Sequence, residues 1–181
     1  METTLLPIPE RLVVLTFDDG PKSQATFAAP LLQQCNFGAT FYITEGLRFF
    51  EDKERYLTWE EASGLHQAGF EIGNHTRHHK DVTGQTPQEL YDDILHIDQR
   101  CAEHGIAKPE TFCYPGYSNS PAAVDVLAKH GFLFARRGVM PEFPYDNEGG
   151  RGPAYDPKIH HPLRIPTTGA SGPHWNFDDF L

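Results

Sequence analysis

A parallel α/β architecture follows from one recurring pattern, in which short apolar runs rich in strand formers alternate with longer amphipathic stretches. Leu12-Val13-Val14-Leu15-Thr16-Phe17 is continuous and apolar, the mark of a strand covered on both faces. A helix is predicted over about 23–35, and Ala39-Thr40-Phe41-Tyr42-Ile43 reads as the next strand. Three later helices mark their own ends. Thr58-Trp59-Glu60-Glu61 and Thr86-Pro87-Gln88-Glu89 both fit a capping box, in which a Thr hydroxyl and a Glu carboxylate satisfy first-turn amides. Pro87 suits the first helical position, and Leu90, Ile94, Ile97 and Cys101 follow helical spacing. Ser120-Pro121 opens the last helix, with Val124 and Leu127 predicted to face inward, while Gly69, Gly105 and Gly131 suit the three exits. Short strands are expected at 70–73, 111–114 and 132–135.

The alternation is equally compatible with a doubly wound sheet and a βα-barrel. Beyond Arg137 the regularity dissolves into a Pro- and Gly-rich stretch, 138–162, after which Leu163-Arg164-Ile165 reads as one more strand. The chain ends on Trp175-Asn176-Phe177-Asp178-Asp179-Phe180-Leu181, which reads as a truncated domain or an end docked on the fold. Its 181 residues amount to a single domain spanning 1–181.

Charge narrows the partners. Fifteen basic residues against 25 acidic ones give −10, which argues against nucleic acid or an anionic membrane. Arg136-Arg137, the nearest thing to a basic patch, reads as a solvated surface pair. No apolar run approaches the roughly 20 residues that a membrane span needs. The start, METTLLPIPE, lacks the basic and apolar regions of a signal peptide, so a cytoplasmic setting is expected for the chain as given. Cys35, Cys101 and Cys113 are odd in number and widely spaced, unlike a disulfide framework or a zinc ribbon. Ten histidines are more than such a chain ordinarily holds.

In parallel α/β folds reactive groups gather where strands end. The first strand runs into Asp18-Asp19-Gly20-Pro21, whose adjacent carboxylates repel and call for a metal, a shared proton or open solvent. The third runs into Asn74-His75-Thr76-Arg77-His78-His79, and the fourth into Tyr114-Pro115-Gly116-Tyr117, a tight turn that could bare backbone amides. One aspartate with two histidines is a sound ligand set for zinc or a similar divalent ion. The four-residue spacing of His75 and His79 is weak alone, since about 0.5 such pairs arise by chance in a chain this rich in histidine. The string Thr16-Phe17-Asp18-Asp19-Gly20-Pro21 is far more specific, with on the order of 10⁻⁵ expected occurrences.

Leu15-Thr16-Phe17-Asp18-Asp19-Gly20-Pro21 followed by Asn74-His75-Thr76-Arg77-His78-His79 resembles the first two motifs of the polysaccharide deacetylase family, the fourth carbohydrate esterase family. Gly38-Ala39-Thr40-Phe41-Tyr42 is also similar to that family's second strand, and the likeness spans about 12–135. The resemblance implies a distorted βα-barrel with parallel strands and a metal-dependent N- or O-deacetylase of acetylated carbohydrate. It assigns Asp19, His75 and His79 to one divalent ion, zinc in the first place, with cobalt, nickel or iron as alternatives. It makes Asp18 the general base, gives the Gly116 backbone N–H to the oxyanion, and casts Thr76 as support between the ligands. It also implies an envelope or secreted setting, at odds with the missing leader. Tyr117 is a candidate for stacking on a sugar.

Phe112-Cys113-Tyr114-Pro115-Gly116-Tyr117 resembles the third motif but departs from it. Cys113 stands where many members carry an arginine that orients the base, which leaves two alternatives: another cation replaces it, or Asp18 is less firmly held. Cys113 itself is expected to be a buried strand residue. The family's Asp-Trp motif has only a vague echo in His174-Trp175-Asn176-Phe177-Asp178-Asp179, and its Leu-x-His pattern, which supplies the general acid, is absent. His160, His161 and His174 are candidates for that acid by residue type alone, whereas His66, His96, His104 and His130 read as structural. These departures keep two other readings open: hydrolysis of a small or cyclic amide by an allantoinase-like enzyme, and a degenerate carbohydrate-binding domain without catalysis. Homo-oligomerisation is also open, because an unpaired sheet edge invites a partner.

Overall fold

Five short strands lie side by side in chain order, all parallel. The computed structural model describes residues 12–138, 155–158 and 160–167. β1 (Thr16–Phe17) pairs with β2 (Thr40–Ile43), which pairs with β3 (Glu71–Asn74) over its full length. β4 (Thr111–Cys113) and β5 (Phe134–Arg136) complete the order, with Asn74 opposite Phe112 and Cys113 opposite Arg136. A doubly wound sheet reverses its strand order at a switch point. This sheet never reverses, and it curls into a half-barrel.

The crossovers carry the helices. A π-helical turn, Gln24–Ala28, leads into α1 (Ala29–Gln34), so the helix predicted over 23–35 begins with a widened turn. α2 (Trp59–Gln67) and α3 (Pro87–Glu103) both start with complete capping boxes, Thr58 with Glu61 and Thr86 with Glu89. α4 (Pro121–His130) is capped by Ser120 and closed by Gly131 at φ 97°, a left-handed conformation that favours glycine. Its inward residues are Ala123, Val126 and Leu127, while Val124 is only partly buried.

Two apolar clusters fill the space between sheet and helices. Phe41, Ile43, Phe49, Trp59, Leu65, Phe70 and Ile97 form one, and Leu90, Ile94, Phe112, Tyr114, Leu127 and Phe132 the other. Among the described residues no helix is long and apolar enough to cross a membrane.

Two expected strands are corrected. Leu12, Val13 and Val14 lie exposed rather than covered on both faces, because among the described residues β1 pairs only at Thr16 and Phe17, with β2 as its single neighbour. Leu163-Arg164-Ile165 forms a 3-10 turn, Pro162–Arg164, followed by a single bridge from Ile165 to Arg136. Tyr114 steers that turn, donating its buried hydroxyl to the Leu163 carbonyl at 2.8 Å.

Candidate metal centre

β1 delivers two consecutive carboxylates, and the backbone sends them to different partners. Asp19 adopts φ 70°, a left-handed conformation that costs a non-glycine residue about 1–3 kcal/mol and persists only where its surroundings impose it. Gln24, buried in the π-helical turn, donates its amide to the Asp18 carbonyl at 2.5 Å and ties the start of the helix to this turn.

β3 delivers the histidines. His75 is buried, and its Nδ1 lies 2.7 Å from the Cys113 carbonyl oxygen. A carbonyl only accepts, so Nδ1 carries a proton and Nε2 is the nitrogen turned toward Asp19. Asp19 Oδ1 is 3.2 Å from that Nε2 and 3.1 Å from Nε2 of His79. It is buried, yet it takes part in no directed hydrogen bond. One carboxylate oxygen and two imidazole nitrogens thus point at a common spot, all within 4.8 Å of one another. A carboxylate oxygen this close to two ring nitrogens calls for positive charge at the spot, on a protonated ring or on a cation, and the donor set is one that zinc and similar divalent ions accept. The histidines, His75 first and then His79, hold the Asp19 carboxyl well below the usual carboxylate range, against the burial that pushes it up. The Asp19 side chain keeps 40% of its surface exposed, which leaves the cluster open on one side.

Asp18 faces a different partner. Arg136, at the end of β5, directs Nη2 to both of its carboxylate oxygens. The same nitrogen lies 2.8 Å from Cys113 Sγ, and the guanidinium rests 5.6 Å from the Tyr42 ring centroid. Tyr42 in turn lies flat on Gly73, where any Cβ would come within 2.4 Å of the ring. The expected solvated pair Arg136-Arg137 is therefore corrected, since both residues are buried. Beyond β5 the 162–165 segment bridges Arg136 through Ile165, and a buried arginine there is retained only with partners. Burial works against the Arg136 charge, but Cys113 and Asp18 outweigh it and raise its pKa further. Arg137 donates to the carbonyls of Arg164 and Gly138.

Cys113 is fully buried, as expected, and burial pushes its thiol well up. From the sequence a replacement cation was one of two open alternatives, and Arg136 was not identified as that cation. The available signal was an arginine at the carboxyl end of a strand, where this architecture gathers its reactive groups.

The Pro115–Tyr117 turn brings Gly116 to φ 59° and Tyr117 to φ 65°, both left-handed and both exposed. Tyr117 packs its ring against Gly138, and burial raises its phenol pKa, with Asp18 and Asp19 close enough to contribute. The candidate acids are not drawn to the cluster. His160 accepts the Asp156 amide and His161 accepts the Leu163 amide, each through Nδ1. His174 lies outside the described residues, as do Asp178 and Asp179 of the weak Asp-Trp echo.

Comparison with known proteins bears on this geometry. The family model described as polysaccharide deacetylase matches residues 7–135, more than half of the chain. A peptidoglycan-N-acetylglucosamine deacetylase of Bacillus cereus is 26% identical over 165 residues, covering 91% of this chain and 72% of that protein. A bifunctional xylanase/xylan deacetylase of Cellvibrio japonicus is 30% identical over 103 residues, covering 57% of this chain and 14% of that protein. Among solved structures, the Streptococcus pyogenes deacetylase PplD in complex with acetate superposes with a TM-score of 0.66 at 20% identity, over 87% of this chain and 64% of that one. The BpsB deacetylase domain of Bordetella bronchiseptica gives 0.65 at 17% identity, over 90% and 72%. At such identities these structures speak for the fold, and this chain spans less than two thirds of PplD. The sequence match over 7–135, the half-barrel and the motifs at its strand ends agree: the chain belongs to the polysaccharide deacetylase family.

Proposed function

We propose that the chain hydrolyses acetyl groups from N-acetylated carbohydrate, with Asp19, His75 and His79 holding one divalent ion and Asp18 acting as general base. The observation that carries this reading is the division of labour between adjacent carboxylates: Asp19 faces two imidazoles while Asp18 is held by Arg136. A divalent ion at that spot would lower the pKa of a water and polarise the acetyl carbonyl. Zinc suits the donor set, and cobalt, nickel or iron satisfy it as well.

The protein's own groups do the rest. Asp18 accepts the proton of the attacking water, and the contact of the Arg136 Nη2 with both carboxylate oxygens fixes the direction in which the carboxylate points. The water oxygen bonds to the carbonyl carbon, the carbon–nitrogen bond breaks, and acetate and the free amine are the products. The exposed Gly116 N–H is the donor for the developing oxyanion. Tyr117 offers a half-exposed ring beside the same turn for a sugar face. Arg136 also weighs against a degenerate binding module, because the charge whose loss supported that reading is supplied from another strand.

Acetate release from acetylated chitooligosaccharides tests the proposal, comparing wild type with Asp18→Asn and His79→Ala. Loss of turnover in both, with bound metal retained in Asp18→Asn and lost in His79→Ala, is the expected result. Equal release by all three proteins would overturn it. Turnover of cyclic ureides but not of acetylated sugars would instead favour the allantoinase-like alternative.

A further inference from the structure

The loop that carries His75 and His79 is strained: Thr76 has φ 64° and His79 φ 54°, both left-handed and neither glycine. Something must hold it. Asn74 is fully buried, and its side chain is completely used: Oδ1 accepts the Thr76 amide at 2.9 Å, while Nδ2 donates to the Ile94 carbonyl at 2.9 Å and to Asp98 Oδ1 at 3.0 Å. Thr76 is also fully buried, and its hydroxyl accepts the His79 amide at 3.1 Å. Asp98, from the buried face of α3, takes His130 Nε2 on its other oxygen at 2.7 Å. Both members of that pair are buried, with side-chain exposures of 9% and 5%.

We infer that Asp98 and His130 are positioning residues for the metal-ligand loop, acting through one continuous line of hydrogen bonds, His130–Asp98–Asn74–Thr76–His79. This rests on the proposed metal centre and deepens it. The line starts at the end of α4, crosses α3, and ends on the backbone of a ligand. Each link is a buried polar group whose alternative is to go unpaired, so the line is rigid where the loop alone is strained. Asp98 offers Asn74 Nδ2 an acceptor and, together with the Ile94 carbonyl, keeps Asn74 Oδ1 aimed at the Thr76 amide. His130 keeps the Asp98 carboxylate from turning to seek another partner. A second carboxylate of α3 acts beside it: buried Asp93 takes His78 Nδ1 at 2.6 Å and Gln85 at 3.3 Å. The helix thus grips the loop at two points, Asn74 just before His75 and His78 just before His79. Groups that orient metal ligands without touching the metal typically change affinity 10- to 100-fold when removed.

The test is metal affinity rather than turnover. The Zn²⁺ dissociation constant is measured by chelator competition on metal-stripped wild type, Asp98→Ala, Asp98→Asn and His130→Ala, with melting temperature recorded in parallel. Wild type binds one equivalent, and Asp98→Ala binds about 10- to 100-fold more weakly. Asp98→Asn preserves an acceptor for Asn74 and a contact to His130, so it stays within about threefold of wild type. His130→Ala, at a helix end, is the milder disruption, falls between these limits, and decides the matter if Asp98→Ala does not fold. Lowered melting temperatures with unchanged dissociation constants would make the pair merely structural and overturn the inference. Equal weakening by Asn and Ala at position 98 would overturn it too. Absence of zinc from wild type would instead sink the metal centre itself, a separate failure.

Discussion

Arg136 and Asp18 lie 118 residues apart in the chain and meet as an ion pair whose guanidinium nitrogen also touches Cys113 Sγ. The family resemblance implied an arginine where Cys113 stands; here the thiol packs against Arg136, which reaches Asp18 from the next strand. β4 and β5 are in register at these residues, Cys113 opposite Arg136, which is why one position can serve the other's purpose.

Arg136→Ala is expected to lower kcat for deacetylation by about 10²-fold, the low end of what a positioned acid–base group contributes. Bound metal should stay at the wild-type level, since Arg136 contacts none of Asp19, His75 or His79. Adding Cys113→Arg to Arg136→Ala should recover part of the loss, because an arginine from either strand reaches the same carboxylate. Steady-state kinetics with metal analysis on the three proteins checks this. No recovery together with lost metal would mean that Arg136 supports the fold rather than the base.

Gly46 backs His79, the second of the proposed histidine ligands. A Cβ built there would lie 2.8 Å from both the His78 carbonyl oxygen and His79 Cβ. Gly46→Ala must displace the ligand loop itself, at the roughly 1–3 kcal/mol typical of overpacking. A lower urea midpoint and weaker zinc binding should appear together. Gly64→Ala, in a helix with open space at its Cβ, is the control that should show neither.

Thiol chemistry separates the cysteines. Cys35 is exposed, whereas Cys101 and Cys113 are buried; burial pushes the Cys101 thiol up to about 12 and that of Cys113 well above its ordinary value. Since the thiolate is the reactive form, iodoacetamide at pH 8 should add one label to the folded chain and three to the denatured one. Rapid labelling of Cys113 in the folded protein would contradict the buried seat described for Arg136.

The capping box of α3 gives a pH dependence. The Thr86 amide and hydroxyl hold the Glu89 carboxyl below its ordinary value of 4.5. A lowered folded-state pKa contributes stability that is complete above the unfolded value and drains away as pH falls through the folded one. Denaturant midpoints of metal-free protein should therefore decline as pH drops below about 4.5. Glu89→Gln, which keeps an acceptor but no titrating group, should flatten that part of the decline.

Much of this was legible in the residues. The caps at Thr58, Thr86 and Ser120 announced three helices, because a first turn needs acceptors for its amides whatever lies around it. Asp19, His75 and His79 were legible through their place at strand ends, and the structure brings them together. Arg136 was not, since adjacent arginines look solvated until the strand beneath them is known to face inward. Asp93 and Asp98 were missed for a related reason. They fall beside Leu90, Ile94 and Ile97 on the inward face of α3, but a carboxylate on such a face makes sense only once Asn74, His78 and His130 arrive from distant segments. The exposed Leu12-Val13-Val14 run shows the converse error: apolar continuity marks strand-forming character, while coverage depends on neighbours the run does not name.

The most direct measurement is a cobalt titration of metal-stripped protein, followed by visible absorption, on wild type and on Asp19→Ala and His75→Ala. Saturation at one equivalent with the intense bands of a low-symmetry site, weakened or absent in both variants, is the predicted result. Identical titrations for all three proteins would show that Asp19 and His75 do not share an ion, and the account of the centre would be wrong.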